Sequence, residues 1–181
     1  RTKKENGPKS EMFKYTLWWL TRNAETSKIM GMDQVFVYLV ETYYMRGDAF
    51  WLDNDALQKY FDRVHNIAPN IIGNIAPEIE MQDFAKKPHK LSEVKAKYTL
   101  VVFWDPTCGH CRETVPILDS MYQAKWKREG VKIYAVGKET DGSKKDWLEF
   151  LRKHHLTGWT NVYYSKQEEK SRVDAGVPGY A

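Results

Sequence analysis

The spacing of apolar residues changes character once along the chain. Up to about residue 72 they recur at intervals of three and four. Met32, Val35, Phe36, Leu39, Val40 and Tyr43 share one helical face, and Leu57, Tyr60, Phe61 and Val64 share another. An earlier helix is predicted over 11–24, and Gly31, Gly47 and the Leu-Asp-Asn-Asp stretch at 52–55 punctuate the series. The pattern gives a small all-α module over 11–72, entered through a charged linker at 1–10 that carries a Gly-Pro breaker. Its aromatic runs, Leu-Trp-Trp-Leu at 17–20 and the segment 40–51, read as core, with a partner surface as the alternative.

From residue 73 onward the period becomes extended, with Gly73 and Pro77 marking the join. Residues 98–104, YTLVVFW, form a continuous β-prone run suited to a strand buried on both faces, and 131–136 and 161–164 are two more. Between these runs Val115, Leu118, Tyr122 and Trp126 fall on one helical face, and Trp147, Leu148, Leu151 and His155 on another. The second of these helices opens at Ser143 with Asp146 three residues on, a capping-box pattern. Alternation of strand and helix predicts a parallel sheet built from βαβ units over 73–181. The polar stretch 165–181 reads as loop.

Composition narrows the class. With 42% hydrophobic and 14% aromatic residues, seven of them Trp, the 181-residue chain has ample core-forming side chains and should pack. A net charge of +4 is spread over 28 basic and 24 acidic residues without a single-sign block, which argues against nucleic acid as a partner. The longest apolar runs fall short of the roughly 18 residues that span a bilayer. No membrane anchor is visible, and a secretory signal would have to lie outside the sequence, which opens on Arg1.

The only two cysteines, Cys108 and Cys111, stand in Cys-Gly-His-Cys, just beyond the 98–104 run and at the start of a predicted helix. Free amides and the dipole at a helix N-terminus stabilise negative charge, so a cysteine placed there has a depressed pKa and exists substantially as thiolate. A second cysteine one turn along can attack the resulting mixed disulfide from within. Two other uses compete. Zinc needs four ligands, for which only His110 and the scattered His65, His89, His154 and His155 could join the thiols. A purely structural disulfide across so short a loop would restrain the unfolded chain little. Spacing and position favour the redox pair. Gly109 leaves the turn unstrained, while His110, if protonated, adds positive charge beside Cys108 and favours the dithiol; its alternative is a solvent-facing residue without influence.

With these residues in view, the second module resembles thioredoxin-like proteins of the TlpA/ResA type, and the whole chain resembles their cell-envelope relatives in Bacteroidota that carry an upstream helical domain. The resemblance runs from GNIAPEIEMQD (73–83) through the 98–104 run, CGHC, Pro116 and GVKIYAV to WTNVYY. It implies an α/β thioredoxin-like domain, three-layer α/β/α, with its C-terminal hairpin and final helix lying beyond Ala181. It also implies a thiol–disulfide oxidoreductase of the periplasm or cell envelope that acts on thiols or disulfides of other proteins and exchanges electrons with a redox partner. No bound cofactor or metal is implied. Cys108 would be the attacking thiol, Cys111 the resolving one, and Gly109 and His110 the tuning residues. CGHC, shared with protein disulfide isomerases, leans toward oxidation or isomerisation, and reduction stays open.

Several positions depart from the family pattern. Thr107 stands where Trp often precedes the first cysteine, and Thr114 stands where an acid commonly follows the second. Glu113 lies about 100° round the helix from that position and reads as a solvated residue. Pro178 is the candidate for the family's cis-proline, an ordinary turn proline being the other reading. Trp104 and Asp105 read as strand-end packing and a turn former, and His154 and His155 as residues placed favourably against a helix C-terminus. The rival to an enzyme is a binding or assembly protein that uses the helical module, with the thioredoxin fold as scaffold.

Overall fold

A computed structural model describes residues 10–156 and 158–175. The predicted linker, apart from Ser10, and Pro178 lie outside these residues. The chain divides into two compact units, Arg1–Pro77 and Glu78–Ala181.

The first unit is helical. Helix α1 (Glu11–Thr26) opens at Ser10, whose hydroxyl accepts from the Phe13 amide at 3.3 Å, and it buries Phe13, Leu17, Thr21 and Ala24. Helix α2 (Met32–Leu39) starts after Gly31, at φ +89°, and widens into a π turn over Val40–Tyr44. Helix α3 (Asn54–Ile67) is capped by Asp53, which accepts from the Ala56 amide at 2.7 Å. Their shared core holds Phe13, Leu17, Phe36, Val37, Val40, Tyr44 and Val64, and the Tyr44 and Tyr60 rings lie 4.8 Å apart. Two expectations change here. Of Leu-Trp-Trp-Leu only Leu17 is buried, because α1 turns Trp18, Trp19 and Leu20 outward. Val35 is likewise exposed while Val37 is buried, so α2 presents a face rotated from the one its spacing suggested.

The second unit is a five-stranded mixed sheet in the order β2-β1-β5-β4-β3. Strands β3 (Tyr98–Trp104), β4 (Val131–Lys138) and β5 (Thr160–Tyr164) are parallel, with Trp104 level with Gly137 and Gly137 level with Tyr163. Strands β1 (Glu80–Gln82) and β2 (Pro88–Lys90) form a hairpin that joins β5 antiparallel. Helix α4 (Gly109–Met121) runs into a π turn over Tyr122–Trp126, and α5 (Lys144–Lys153) follows β4. Both cover one sheet face, packing Val115, Tyr122, Trp147, Phe150 and Leu151 against Trp104, Ile133 and Ala135. The opposite face joins Tyr134, Val136 and Val162 to Ile79 and Met81, with Leu91, Val94 and Val101 against them.

The strand buried on both faces is therefore β4, whose successive residues alternate between the two cores. The 98–104 run, expected in that place, lies opposite β2 as one of the two edge strands among the described residues, with Thr99 and Phe103 exposed. On α5 the buried partner of Trp147 and Leu151 is Phe150, whereas His155 lies past the helix end, exposed at φ +54°. The capping box at Ser143 and Asp146 is present. Part of the predicted 165–181 loop is instead helix α6 (Lys166–Asp174), opened by a second capping box between Ser165 and Glu168. It is polar all round, so no apolar period announces it.

Aromatic contacts support the ends of the parallel strands. The Trp104 ring packs 5.0 Å from Phe150, and Trp147, fully buried, lies 5.1 Å from Tyr163 and close against Gly137. A Cβ on Gly137 would fall 2.3 Å from the Trp147 indole nitrogen. Gly137→Ala is accordingly expected to cost about 2 to 3 kcal/mol through overpacking. Urea unfolding should show a lower midpoint at an unchanged slope.

Candidate active site

β3 delivers the chain to the site. After Trp104 it turns through Asp105, Pro106 and Thr107, of which the first two are buried. One Asp105 carboxylate oxygen accepts from the Thr107 amide at 2.6 Å and from the Thr107 hydroxyl at 2.5 Å. The other accepts from the Thr140 amide at 3.2 Å, in the loop after β4. The Asp105 carbonyl accepts from the Cys108 amide at 3.2 Å, closing the turn. Gly142 presses on the same turn, since a Cβ there would come within 2.6 Å of the Thr107 methyl.

Cys108 occupies the N-cap position of α4 in extended conformation, and its carbonyl accepts from the Arg112 amide at 3.0 Å. Gly109 and His110 form the first helical residues and are exposed, and Cys111 follows one turn in. Both cysteines are free, Cys108 exposed and Cys111 partly buried.

Their surroundings separate the two thiols. The Cys108 pKa is lowered, first by the backbone amide of Cys111, then by the Cys111 side chain and the amide of His110; desolvation and the Asp105 charge oppose this. The Cys111 pKa is raised, chiefly by burial and further by Cys108 and Asp105, against a contact from the Asp105 amide. Burial opposes ionisation of Asp105 itself, but hydrogen bonds from Thr107, Thr140 and Asp141 outweigh it and hold the carboxyl below its usual range.

Beside Gly109 a groove of about 670 Å³ runs between α4 and α5, bordered by Thr107, Arg112, Glu113, Glu149 and Lys153. Glu113 is exposed there. His154 also borders it, its ring 4.3 Å from Phe150. Burial, followed by the charges of Lys153, Arg112 and His155, lowers its pKa, so the favourable helix-end charge expected for it is disfavoured. Among the described residues no three His, Cys, Asp or Glu side chains are grouped as a metal ion would need, and no helix is long and apolar enough to cross a membrane.

Pattern reading placed Cys108, Gly109, His110 and Cys111 in the motif, and the structure brings them together at one helix start. It treated Asp105 only as a turn former. Thr140 and Gly142, more than 30 positions away, were not singled out, because no local period links them to the cysteines.

Comparison with known proteins agrees with this geometry. Residues 72–158 match the AhpC/TSA family. The thiol-disulfide oxidoreductase ResA of Geobacillus kaustophilus is 31% identical over 65 residues, which is 36% of this chain and 37% of that protein. A domain of a "possible thiol-disulfide isomerase" from Cytophaga hutchinsonii is 32% identical with a TM-score of 0.50, covering 61% of this chain and 72% of that one. A thioredoxin-like protein from Bacteroides caccae, at 16% identity and a TM-score of 0.63, shares the fold over 93% of this chain and 60% of its own. The chain spans about two fifths of the length of the curated relatives it matches.

The unequal thiols lead to a measurable difference. In the folded protein, alkylation of Cys108 should keep its rate at pH values where a reference peptide has already lost its thiolate, while Cys111 should react only at higher pH than the peptide. Rates of iodoacetamide labelling from pH 5 to 10, read by peptide mass spectrometry, check this. Equal midpoints for the two cysteines would contradict it.

Proposed function

Since the chain belongs to the thioredoxin-like AhpC/TSA family, with the TlpA/ResA-type thiol–disulfide oxidoreductases, we propose that it exchanges disulfides with cysteines of other proteins in the cell envelope through Cys108 and Cys111. The observation that carries this reading is the exposed Cys108 at the start of α4, with a lowered pKa and a less exposed second cysteine one turn behind.

In the reducing direction the Cys108 thiolate attacks one sulfur of a substrate disulfide. A Cys108–substrate disulfide forms, and the other substrate sulfur leaves as a thiolate that takes a proton from solvent. Cys111 then loses its proton and attacks the Cys108 sulfur, expelling the second substrate thiolate. Two electrons have passed to the substrate, and the protein holds the Cys108–Cys111 disulfide until a redox partner reduces it. Oxidation of a substrate dithiol is the same sequence reversed. The raised pKa of Cys111 suits the order of events: the outer sulfur is ionised for the first attack and the inner one stays protonated until the mixed disulfide removes the neighbouring charge. His110 enters this reading through the backbone, since its amide is among the groups that stabilise the Cys108 thiolate, and Gly109, as the tuning residue beside it, keeps the turn between the two cysteines free of a side chain.

A second reading, a binding protein whose helical unit does the work, draws on Met12, Tyr15, Trp18 and Trp19, which are exposed along α1. The two readings separate in one experiment. Exchange predicts dithiol-dependent reduction of a model protein disulfide such as insulin, lost to background in Cys108→Ser. Cys111→Ser should accumulate a mixed disulfide with substrate, visible as a mass adduct on non-reducing gels. Unmodified protein with neither turnover nor adduct would leave the binding reading in place.

A further inference from the structure

Asp105 is only 7% exposed, yet it carries a charge at the foot of the cysteine pair. Each of its polar groups is engaged. The carboxylate takes the Thr107 amide, the Thr107 hydroxyl and the Thr140 amide, the carbonyl takes the Cys108 amide, and the backbone amide faces the Cys111 sulfur. Turn formation alone needs the contacts to residues 107 and 108. It does not need a carboxylate buried between the cysteine turn and the loop after β4, where three donors keep it ionised.

We propose that Asp105 is a positioning residue that sets the redox balance of the pair, its carboxylate fixing the pre-cysteine turn while opposing negative charge on both sulfurs. The inference rests on the exchange reading and gives it a direction. The disulfide carries no charge, whereas the reduced pair carries a thiolate at Cys108. A fixed anion nearby therefore favours the disulfide, and its removal favours the dithiol. The helix start pulls the other way, by stabilising the thiolate. Asp105 thus makes the pair a stronger reductant than the helix start alone would give, which selects disulfides, not dithiols, as the substrate class.

The titratable groups facing Asp105 are the Cys108 and Cys111 thiols and, from β5, the Tyr163 phenol, whose pKa is raised by burial first and by Glu139, Asp105 and Asp146 after it. From the loop after β4, the amides of Thr140 and Asp141 face it. None of these supplies a cation that would cancel the carboxylate.

The test compares Asp105→Asn, which retains an acceptor for Thr107 and loses the charge, with Asp105→Glu, which keeps the charge and disturbs the turn. Two quantities are read: the pH midpoint of Cys108 alkylation, and the equilibrium constant of the pair against glutathione. Asp105→Asn is expected to lower the midpoint and shift the equilibrium toward the dithiol by about tenfold, a potential about 30 mV less negative. Asp105→Glu should leave both near the unmodified values even where Tm falls. If both variants lower Tm and neither readout moves, Asp105 is only a turn former and the proposal is wrong.

Should Asp105→Asn fail to fold, the unmodified reduced protein gives the same answer. The carbon-13 shift of the Asp105 carboxyl should inflect as Cys108 titrates, and a flat profile overturns the coupling. Absence of insulin reduction by the unmodified protein counts against the exchange reading alone, because alkylation and the glutathione equilibrium need no turnover.

Discussion

The chemistry of the candidate site depends on which residue stands at the N-cap of one helix. The first amides of any helix have no partner within it and draw an acceptor to the N-cap position. At α1, α3, α5 and α6 that acceptor is the side-chain oxygen of Ser10, Asp53, Ser143 and Ser165. At α4 the same position holds Cys108. A neutral thiol is a weak acceptor and a thiolate a good one, so the demand for an acceptor at the helix start is met better by the ionised form. The lowered pKa of Cys108 is in keeping with this ordinary requirement of helix formation, a cysteine standing at the position that Ser or Asp holds at those four helices.

That pull is not left unopposed. Asp105, three residues earlier, brings a buried negative charge to the same turn, and Cys108 and Cys111 both register it in the unfavourable direction. The two influences come from the two ends of a single short connection between β3 and α4. Burial adds a third effect. It acts on Cys111 more than on Cys108, keeping the two sulfurs chemically distinct although only one turn of helix separates them.

Much of this was legible in the sequence. The helical spacing of 11–72, the βαβ alternation and the cysteine motif at a strand-to-helix junction are local signals, and the corresponding helices and parallel strands are present. What escaped were features set by neighbours in space. The run 98–104 is more uniformly apolar than an edge position needs, and its edge place among the described strands depends on pairing that no local pattern records. Phe150, and not His155, completes the buried face of α5, because the helix ends at Lys153. Helix α6 has no apolar face, and its only signal was Ser165 followed three residues on by Glu168. At the site, the cysteines could be read from their spacing, whereas the partners of Asp105 required the fold.

The reason those partners meet lies in strand direction. Parallel strands end on the same edge of a sheet, so the loops that follow them gather there. With Trp104 level with Gly137, the chain leaves β3 toward the cysteines at nearly the height where β4 runs on to Thr140. An antiparallel neighbour would carry its loop to the opposite edge and leave Asp105 without that amide. Gly137 lets Trp147 lie against the strand, bringing α5 and the loop before it close to the turn, and Gly142 then allows that loop to touch Thr107. A tryptophan, two glycines and a strand register, none of them part of the cysteine motif, thereby place a carboxylate's third hydrogen-bond donor beside the pair proposed to carry out disulfide exchange.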